Sequence, residues 1–384
     1  MRPLRILQFI TPSGFYGAER WILALANNLE PGQVVCDLAV SQESSDQDLT
    51  LAELYPASVG LVHRVPMAGR FDWRVVNRLA AIIRDREIDI IHTHGYKSDI
   101  LGFLAARKAG IRCVSTPHGF AGRVGLKMAL FIRLGTYMLR HFDAVAPLSE
   151  ELVADMARFG VPEHKVWFIR NGVDLAEIDQ ALCEMSPREP VEDRKVIGFV
   201  GQMIPRKGIP DLLSVFDQLY GHDPSLRLQL LGDGRQRPEL EQQAAAQVSA
   251  PAIEFLGFRN DRLALLSRFD LFVMTSSLEG IPRCMMEAMA VGVPVVAYDI
   301  PGVDQLIEHD HNGLLAPYGD QQSLADSCQR LLADAELGWR LATAARKTIE
   351  TEYSAGRMAR EYSVLFAQLM GRGSSSVHMA GGAG

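Results

Sequence analysis

Two carboxylates eight positions apart, Glu279 and Glu287, flank the run Gly280-Ile281-Pro282-Arg283-Cys284-Met285-Met286. Proline fixes φ and lacks an N–H, which suits the first position of a helix. Glu279 is therefore expected in a loop and Glu287 within the helix that Pro282 opens. The first amides of such a helix, those of Arg283 and Cys284 among them, have no intrahelical acceptor and face outward at its positive end. That arrangement favours a bound phosphate. A carboxylate offers two acceptor oxygens, enough to hold the vicinal hydroxyls of a ribose.

Other residues with chemical capacity stand at the ends of apolar, strand-like runs. Arg206 and Lys207 lie in the loop 202–208, between the run 196–200 and a helix starting near Ile209-Pro210-Asp211, where they can neutralise a diphosphate. Ser13-Gly14-Phe15-Tyr16-Gly17-Ala18-Glu19 follows the first strand-like run and opens a helix, so Gly17 would let the backbone approach a phosphate. The dinucleotide pattern GxGxxG is not what this loop contains. Arg259 follows Leu256-Gly257-Phe258, and Asn260 or Asp261 beside it suits a helix N-cap. Gly232-Asp233-Gly234 is explained by turn formation. His118 stands just beyond another strand-like run, in Thr116-Pro117-His118-Gly119-Phe120. His92-Thr93-His94 places two imidazoles on one strand face, but no third and fourth ligand follow at a metal-site spacing, so packing or a polar contact is expected and no metal.

The elements that must hold these residues alternate. Short apolar runs at 5–10, 34–40, 60–66, 88–93, 112–116 and 143–147 are separated by helical patterns, and a second series runs through 196–200, 226–231, 253–256, 271–274 and 294–298. Such alternation indicates parallel sheets covered by helices, an α/β class. Two domains follow from 384 residues and from the Pro- and charge-rich stretch between the series. The expected division is 1–182, a linker at 183–194, a second domain at 195–354, and a Gly/Ser/Ala tail at 371–384 expected to be disordered.

A formal charge of −7 argues against nucleic acid, which needs an extensive positive footprint. The five cysteines, odd in number and without CxxC spacing, suit a reducing compartment, and cytoplasmic localisation is expected. The apolar stretch near the N-terminus is too short for a signal peptide, and no run of 18 apolar residues would span a bilayer.

The Glu279 to Glu287 segment, with its continuation Glu287-Ala288-Met289-Ala290, Gly292 and Pro294-Val295-Val296, resembles the glutamate-seven-residues-glutamate motif of family 4 retaining glycosyltransferases. The likeness runs from the Gly14 loop to the helix near Tyr353. It implies the GT-B fold: two Rossmann-like domains facing a cleft, with a C-terminal helix at 355–370 crossing back to the N-terminal, acceptor-side domain. It also implies transfer of a sugar from a nucleoside diphosphate sugar to a hydroxyl of a glycan or lipid-linked glycan, without a cofactor or metal. In these terms Glu279 holds sugar hydroxyls, and Lys207, in Pro205-Arg206-Lys207-Gly208, stabilises the leaving diphosphate with Arg206. His118 contacts the donor sugar, the main chain around Arg259 reads the base, and Gly17, Gly280, Ile281, Arg283 and Glu287 bind the donor. Where similar enzymes carry an arginine upstream of this lysine, the chain has Gln202, which Arg206 would replace functionally. A nucleotide-sugar 2-epimerase, or a catalytically silent sugar-binding protein of the same fold, would share this scaffold.

Between 123 and 141 the chain carries Arg123, Lys127, Arg133 and Arg140 and no acid. On one helix these cations fall within an arc of about 140°, with Val124, Met128, Phe131, Ile132 and Leu139 opposite. The plain expectation is a helix packed on the sheet with its cations in water. The same face suits peripheral contact with anionic phospholipid.

Overall fold

The computed structural model describes residues 2–12, 14–69, 72–119, 126–184 and 194–372, without the side chains of 126–131. Ser13, Phe120, Arg123 and Val124, the linker residues 185–193 and the tail from 373 lie outside the described residues.

The first series of apolar runs forms β1 (Leu4–Ile10), β2 (Val34–Gln42), β3 (Val62–Pro66), β4 (Ile90–His94), β5 (Arg112–Ser115) and β6 (Ala144–Val145). They pair in parallel in the order β3-β2-β1-β4-β5-β6. The second forms β7 (Val196–Val200), β8 (Arg227–Leu231), β9 (Ile253–Gly257), β10 (Leu271–Met274), β11 (Val295–Asp299) and β12 (Leu314–Pro317), in the order β12-β11-β10-β7-β8-β9. Counted from its own first strand, the second sheet has the topology of the first. β12 was not expected: it is four residues long and ends in Pro317, which an edge strand tolerates because its outer N–H positions need no partner.

In each doubly wound sheet the strand order reverses once, and the crevice beyond the carboxyl ends of the strands at that point is where ligands bind. For the second sheet the reversal lies between β7 and β10. The loops carrying Lys207 and Glu279 follow those two strands.

The chain divides into one compact unit of residues 1–170 with 356–384 and another of 171–355. This corrects the expected boundary at 183. Asp174 caps the helix Leu175–Cys183 by accepting from the amides of Ala176 and Glu177, and Val173 and Ile178 are buried in the second unit's core. Val173 also pairs with Tyr353 and Ala355 through its backbone. Composition marks the polar stretch after this helix but carries no information on which core the helix joins. The helix Ala355–Leu369 has residues 356 onward grouped with the first unit, as the resemblance implies, and its Met358, Tyr362 and Phe366 are buried there.

The basic stretch also differs from expectation. A helix spans Leu126–Met138 and gives way to a 3-10 turn at Leu139–His141. Arg140 is tied down, its Nε donating to the Phe159 carbonyl at 2.6 Å and its guanidinium lying over the Tyr137 ring. Leu134 and Tyr137 share the cationic arc and are about half exposed, so the outward face is amphipathic rather than purely basic.

Candidate active site

Lys207 ends a short 3-10 turn, Pro205–Lys207, and Gly208 behind it opens the helix Ile209–His222. Gly208 has φ +62°, and a Cβ there would stand 2.0 Å from the Thr275 carbonyl oxygen. Both facts demand glycine. Thr275 Oγ1 in turn donates to the Lys207 carbonyl at 3.1 Å, and Ser277 N donates to the Arg206 carbonyl at 2.8 Å. The loops after β7 and β10 are thus stitched together through the backbone carbonyls of Arg206 and Lys207.

That stitching brings Lys207 Nζ to 2.5 Å from Glu279 Oε1, although the residues are 72 apart in sequence. Both side chains are nearly buried. Arg206, 44% exposed, reaches Glu279 Oε2 at 3.3 Å and donates to the Leu278 carbonyl at 2.9 Å. Lys207 is the desolvated cation of the pair and Arg206 the solvated one.

Glu287 sits in the helix Arg283–Ala290, which begins one residue later than expected, with Pro282 in the capping position. Gly280 is exposed and Ile281 half-buried on the approach to it. The Gly280 carbonyl packs against Gly302, where an added Cβ would approach within 2.0 Å. Glu287 is held by two guanidinium groups: Arg262 through Nη2 to Oε1 at 3.0 Å and Nε to Oε2 at 3.2 Å, and Arg283 through Nε to Oε1 at 3.0 Å. Arg283 Nη1 is buried and has no hydrogen-bond partner among the described residues, which leaves a donor for a ligand oxygen. Cys284 lies between the two ionic clusters. Desolvation pushes its thiol up to about 11, with Lys207 lowering it and Glu279 and Glu287 raising it.

Arg259 is not drawn into either cluster. Its guanidinium forms a two-point bond with Asp261 at 2.8 and 2.7 Å on the surface, and Asp261 precedes the helix Arg262–Leu266 without a side-chain capping bond. The side chain is thus paired with Asp261 at the surface.

Gly17 and His118 belong to the first unit. Gly17 is the first residue of the helix Gly17–Asn28, whose entry is closed by Tyr16 N donating to Glu19 Oε2 at 3.0 Å. A Cβ at Gly17 would meet nothing within 4 Å, so the fold itself does not require glycine there. His118 is one end of a relay. His94 Nε2 stands 2.6 Å from the Gln8 Oε1 carbonyl oxygen, which can only accept, and His94 Nδ1 stands 3.1 Å from His118 Nε2. In the neutral state His118 Nε2 is then the donor to His94. His92 Nε2 meets Thr116 Oγ1 at 2.7 Å, which meets the Tyr362 hydroxyl at 2.7 Å, and the Trp21 ring touches all three imidazoles. His92 and His94 are buried, with polar partners as well as ring packing around them. No group of metal ligands forms among the described residues.

Burial holds the His92 and His118 pKa values down to about 3, and His94 well below its ordinary value. In the unfolded chain these groups protonate near 6.5, so the stability they contribute is lost as pH falls from there toward 3. At pH 5 a single such imidazole costs about 2 kcal/mol. Melting temperatures at pH 7.5 and 5 are expected to show a steep acid loss in the wild type. His92→Gln, which can bond to Thr116 but cannot charge, is expected to lose less; an equal loss would place the acid sensitivity elsewhere.

Of the further residues that the structure brings into these clusters, Arg262, Gly302 and Tyr362 carry no local sequence signal. Gln8 alone leaves one, as a polar residue inside an apolar strand.

Comparison with known proteins follows the same two halves. Residues 15–177 match the family model described as Glycosyltransferase Family 4, and residues 184–348 the one described as Glycosyl transferases group 1. An Escherichia coli protein, UDP-Gal:alpha-D-GlcNAc-diphosphoundecaprenol alpha-1,3-galactosyltransferase, is 27% identical over 68% of this chain and 71% of its own length. A Bacillus anthracis protein, N-acetyl-alpha-D-glucosaminyl L-malate synthase, is 23% identical over 78% of this chain and 80% of its own. Among solved structures, Anabaena HepE in complex with UDP superposes with a TM-score of 0.80 at 21% identity, covering 95% of this chain and all of that one. The fold is accordingly GT-B.

Proposed function

The chain belongs to the glycosyltransferases of family 4 and group 1, and on that premise we propose that it is a retaining transferase moving a sugar from a UDP-sugar to a hydroxyl of a lipid-linked glycan, without a metal. The observation that carries the reading is the buried Lys207–Glu279 pair at the reversal point of the second sheet, beside a helix N-terminus suited to phosphate. Lys207, Arg206 and the first amides of the helix Arg283–Ala290 bear the charge that develops on the leaving diphosphate. Glu279 holds sugar hydroxyls and supports positive character at the anomeric carbon, His118 contacts the sugar, and Glu287 receives the ribose. Gly17, Gly280 and Ile281 present backbone to the donor, and the main chain near Arg259 reads the base.

A covalent double displacement needs a free nucleophilic carboxylate. Both oxygens of Glu279 are engaged by cations, which favours a front-face path in which the departing phosphate takes the acceptor's proton. Uridine and a diphosphate-linked lipid acceptor are suggested by the name of the Escherichia coli relative.

The test is transfer from UDP-galactose to N-acetylglucosamine-diphospholipid with the product analysed by NMR. An α-linked product, formed equally in EDTA, is expected. A β-linked product overturns retention, and activity lost to EDTA and restored by Mg²⁺ overturns the metal-free path. Turnover of UDP-N-acetylglucosamine with no acceptor present would instead favour the epimerase reading, and binding without any turnover the silent one.

We extend the proposal to contact with an anionic membrane on the inner leaflet side. No helix among the described residues is long and apolar enough to cross a bilayer, whereas the exposed Arg133, Leu134 and Tyr137 combine cation, aliphatic and aromatic groups suited to a headgroup layer. Each cation near such a surface contributes about 1 kcal/mol. Wild type is expected to co-sediment with anionic but not neutral vesicles at low salt, and Arg133→Glu/Leu134→Ser to remain in the supernatant. Equal sedimentation of the two proteins removes this helix from the contact.

A further inference from the structure

Glu287 lies inside its helix, where a carboxylate swings about χ1 and χ2 unless something holds it. The group that spans both of its oxygens comes from outside that helix. Arg262, the first residue of the helix after β9, spans both oxygens of Glu287 with Nη2 and Nε at 3.0 and 3.2 Å, and the same Nη2 reaches Glu177 Oε1 at 3.1 Å. Arg262 and Glu287 are nearly buried, while Glu177 is 43% exposed. A planar guanidinium with two N–H vectors on one carboxylate fixes both its position and the plane of its oxygens, which a point charge cannot do. Arg283 adds a third donor from one turn earlier, but through Nε alone. The element that sets the carboxylate plane is therefore the β9 loop, and its anchor is the segment 171–183.

We propose that Arg262 is the positioning residue for ribose recognition: it orients the Glu287 carboxylate so that the nucleotide's ribose hydroxyls find an acceptor in a fixed plane, and so makes this site discriminate ribose from deoxyribose. The proposal rests on the reading of Glu287 as the ribose-binding acid of a uridine donor. It gives Arg262 no contact with the nucleotide itself. An arginine that merely stabilised the fold would affect both sugars alike, whereas a positioning arginine acts on their ratio.

The experiment is calorimetric titration of the full chain with UDP and with 2′-deoxy-UDP. Wild type is expected to favour UDP by about ten- to a hundredfold, the factor that one charge-assisted hydrogen bond supplies. Glu287→Ala is expected to bring the ratio close to one. Arg262→Ala is expected to do the same with Glu287 still present, and Arg262→Lys, with its charge but no fork, to fall between. Should Arg262→Ala fail to fold, Arg262→Lys provides the same readout. A ratio lost in Glu287→Ala but kept at the wild-type value in Arg262→Ala, or in Arg262→Lys if that is the variant that folds, overturns the positioning role alone. A ratio that Glu287→Ala leaves unchanged, or a wild type that ignores the 2′-hydroxyl or does not bind UDP, overturns the ribose reading and the inference with it.

Discussion

Lys207→Ala is expected to lower the transfer rate on the order of a hundredfold or more, by analogy with the loss of one preorganised donor to a developing oxyanion. Arg206→Ala is expected to cost far less. The difference comes from burial: Lys207 is 9% exposed beside Glu279, whereas Arg206 is 44% exposed and spends one donor on the Leu278 carbonyl. A cation screened from water interacts strongly with a diphosphate, and one in water competes with its own hydration. Steady-state turnover at saturating donor for the two variants checks this. Equal and mild losses would mean that the pair stabilises the loop rather than the leaving group.

Glu279→Ala should produce two large effects of different kinds. Removing one partner of a buried ion pair leaves the other charge uncompensated, which costs about 3 to 5 kcal/mol, so the ligand-free variant should melt well below the wild type. A nucleoside diphosphate brings the missing negative charge to Lys207, so adding UDP should raise the variant's melting temperature by more than it raises that of the wild type. Turnover should fall severely while UDP affinity is kept or improved. Glu287→Ala should behave in the opposite sense, with about ten- to a hundredfold weaker nucleotide binding and a smaller change in turnover. Thermal melts with and without UDP, set beside calorimetry, separate the two acids; a Glu279→Ala protein as stable as wild type would show that the pair is not mutually dependent.

Much of this was legible before the fold was known, and the reasons differ by residue. Pro282 marked the helix start to within one position because its ring fixes φ locally. Eleven of the twelve strands among the described residues announced themselves as apolar runs, most plainly central ones such as β4 and β10, which are buried on both faces. β12 escaped because a four-residue edge strand ending in proline resembles a turn. The helix Leu175–Cys183 groups with the second unit, which its own amphipathic pattern cannot show, since that pattern says that it packs but not against which core.

The sequence by itself determined the local chemistry: which loops carry cations, where a helix N-terminus could receive phosphate, and that Glu279 lies before that helix and Glu287 within it. Each of these depends on residues a few positions apart, whose mutual geometry the backbone fixes. Tertiary structure decided the pairings. Lys207 meets Glu279 across 72 residues because β7 and β10 are neighbours in the sheet, Arg262 reaches Glu287 because the helix after β9 and the helix Arg283–Ala290 both pack on the helix Leu175–Cys183, and Gln8 sets His94 because β1 lies beside β4, where the register partner of Gln8 is His92, two positions before His94. Hydrogen bonds and close ion pairs need partners about 3 Å apart, and only the order of strands and the packing of helices bring residues so distant in the chain within that range.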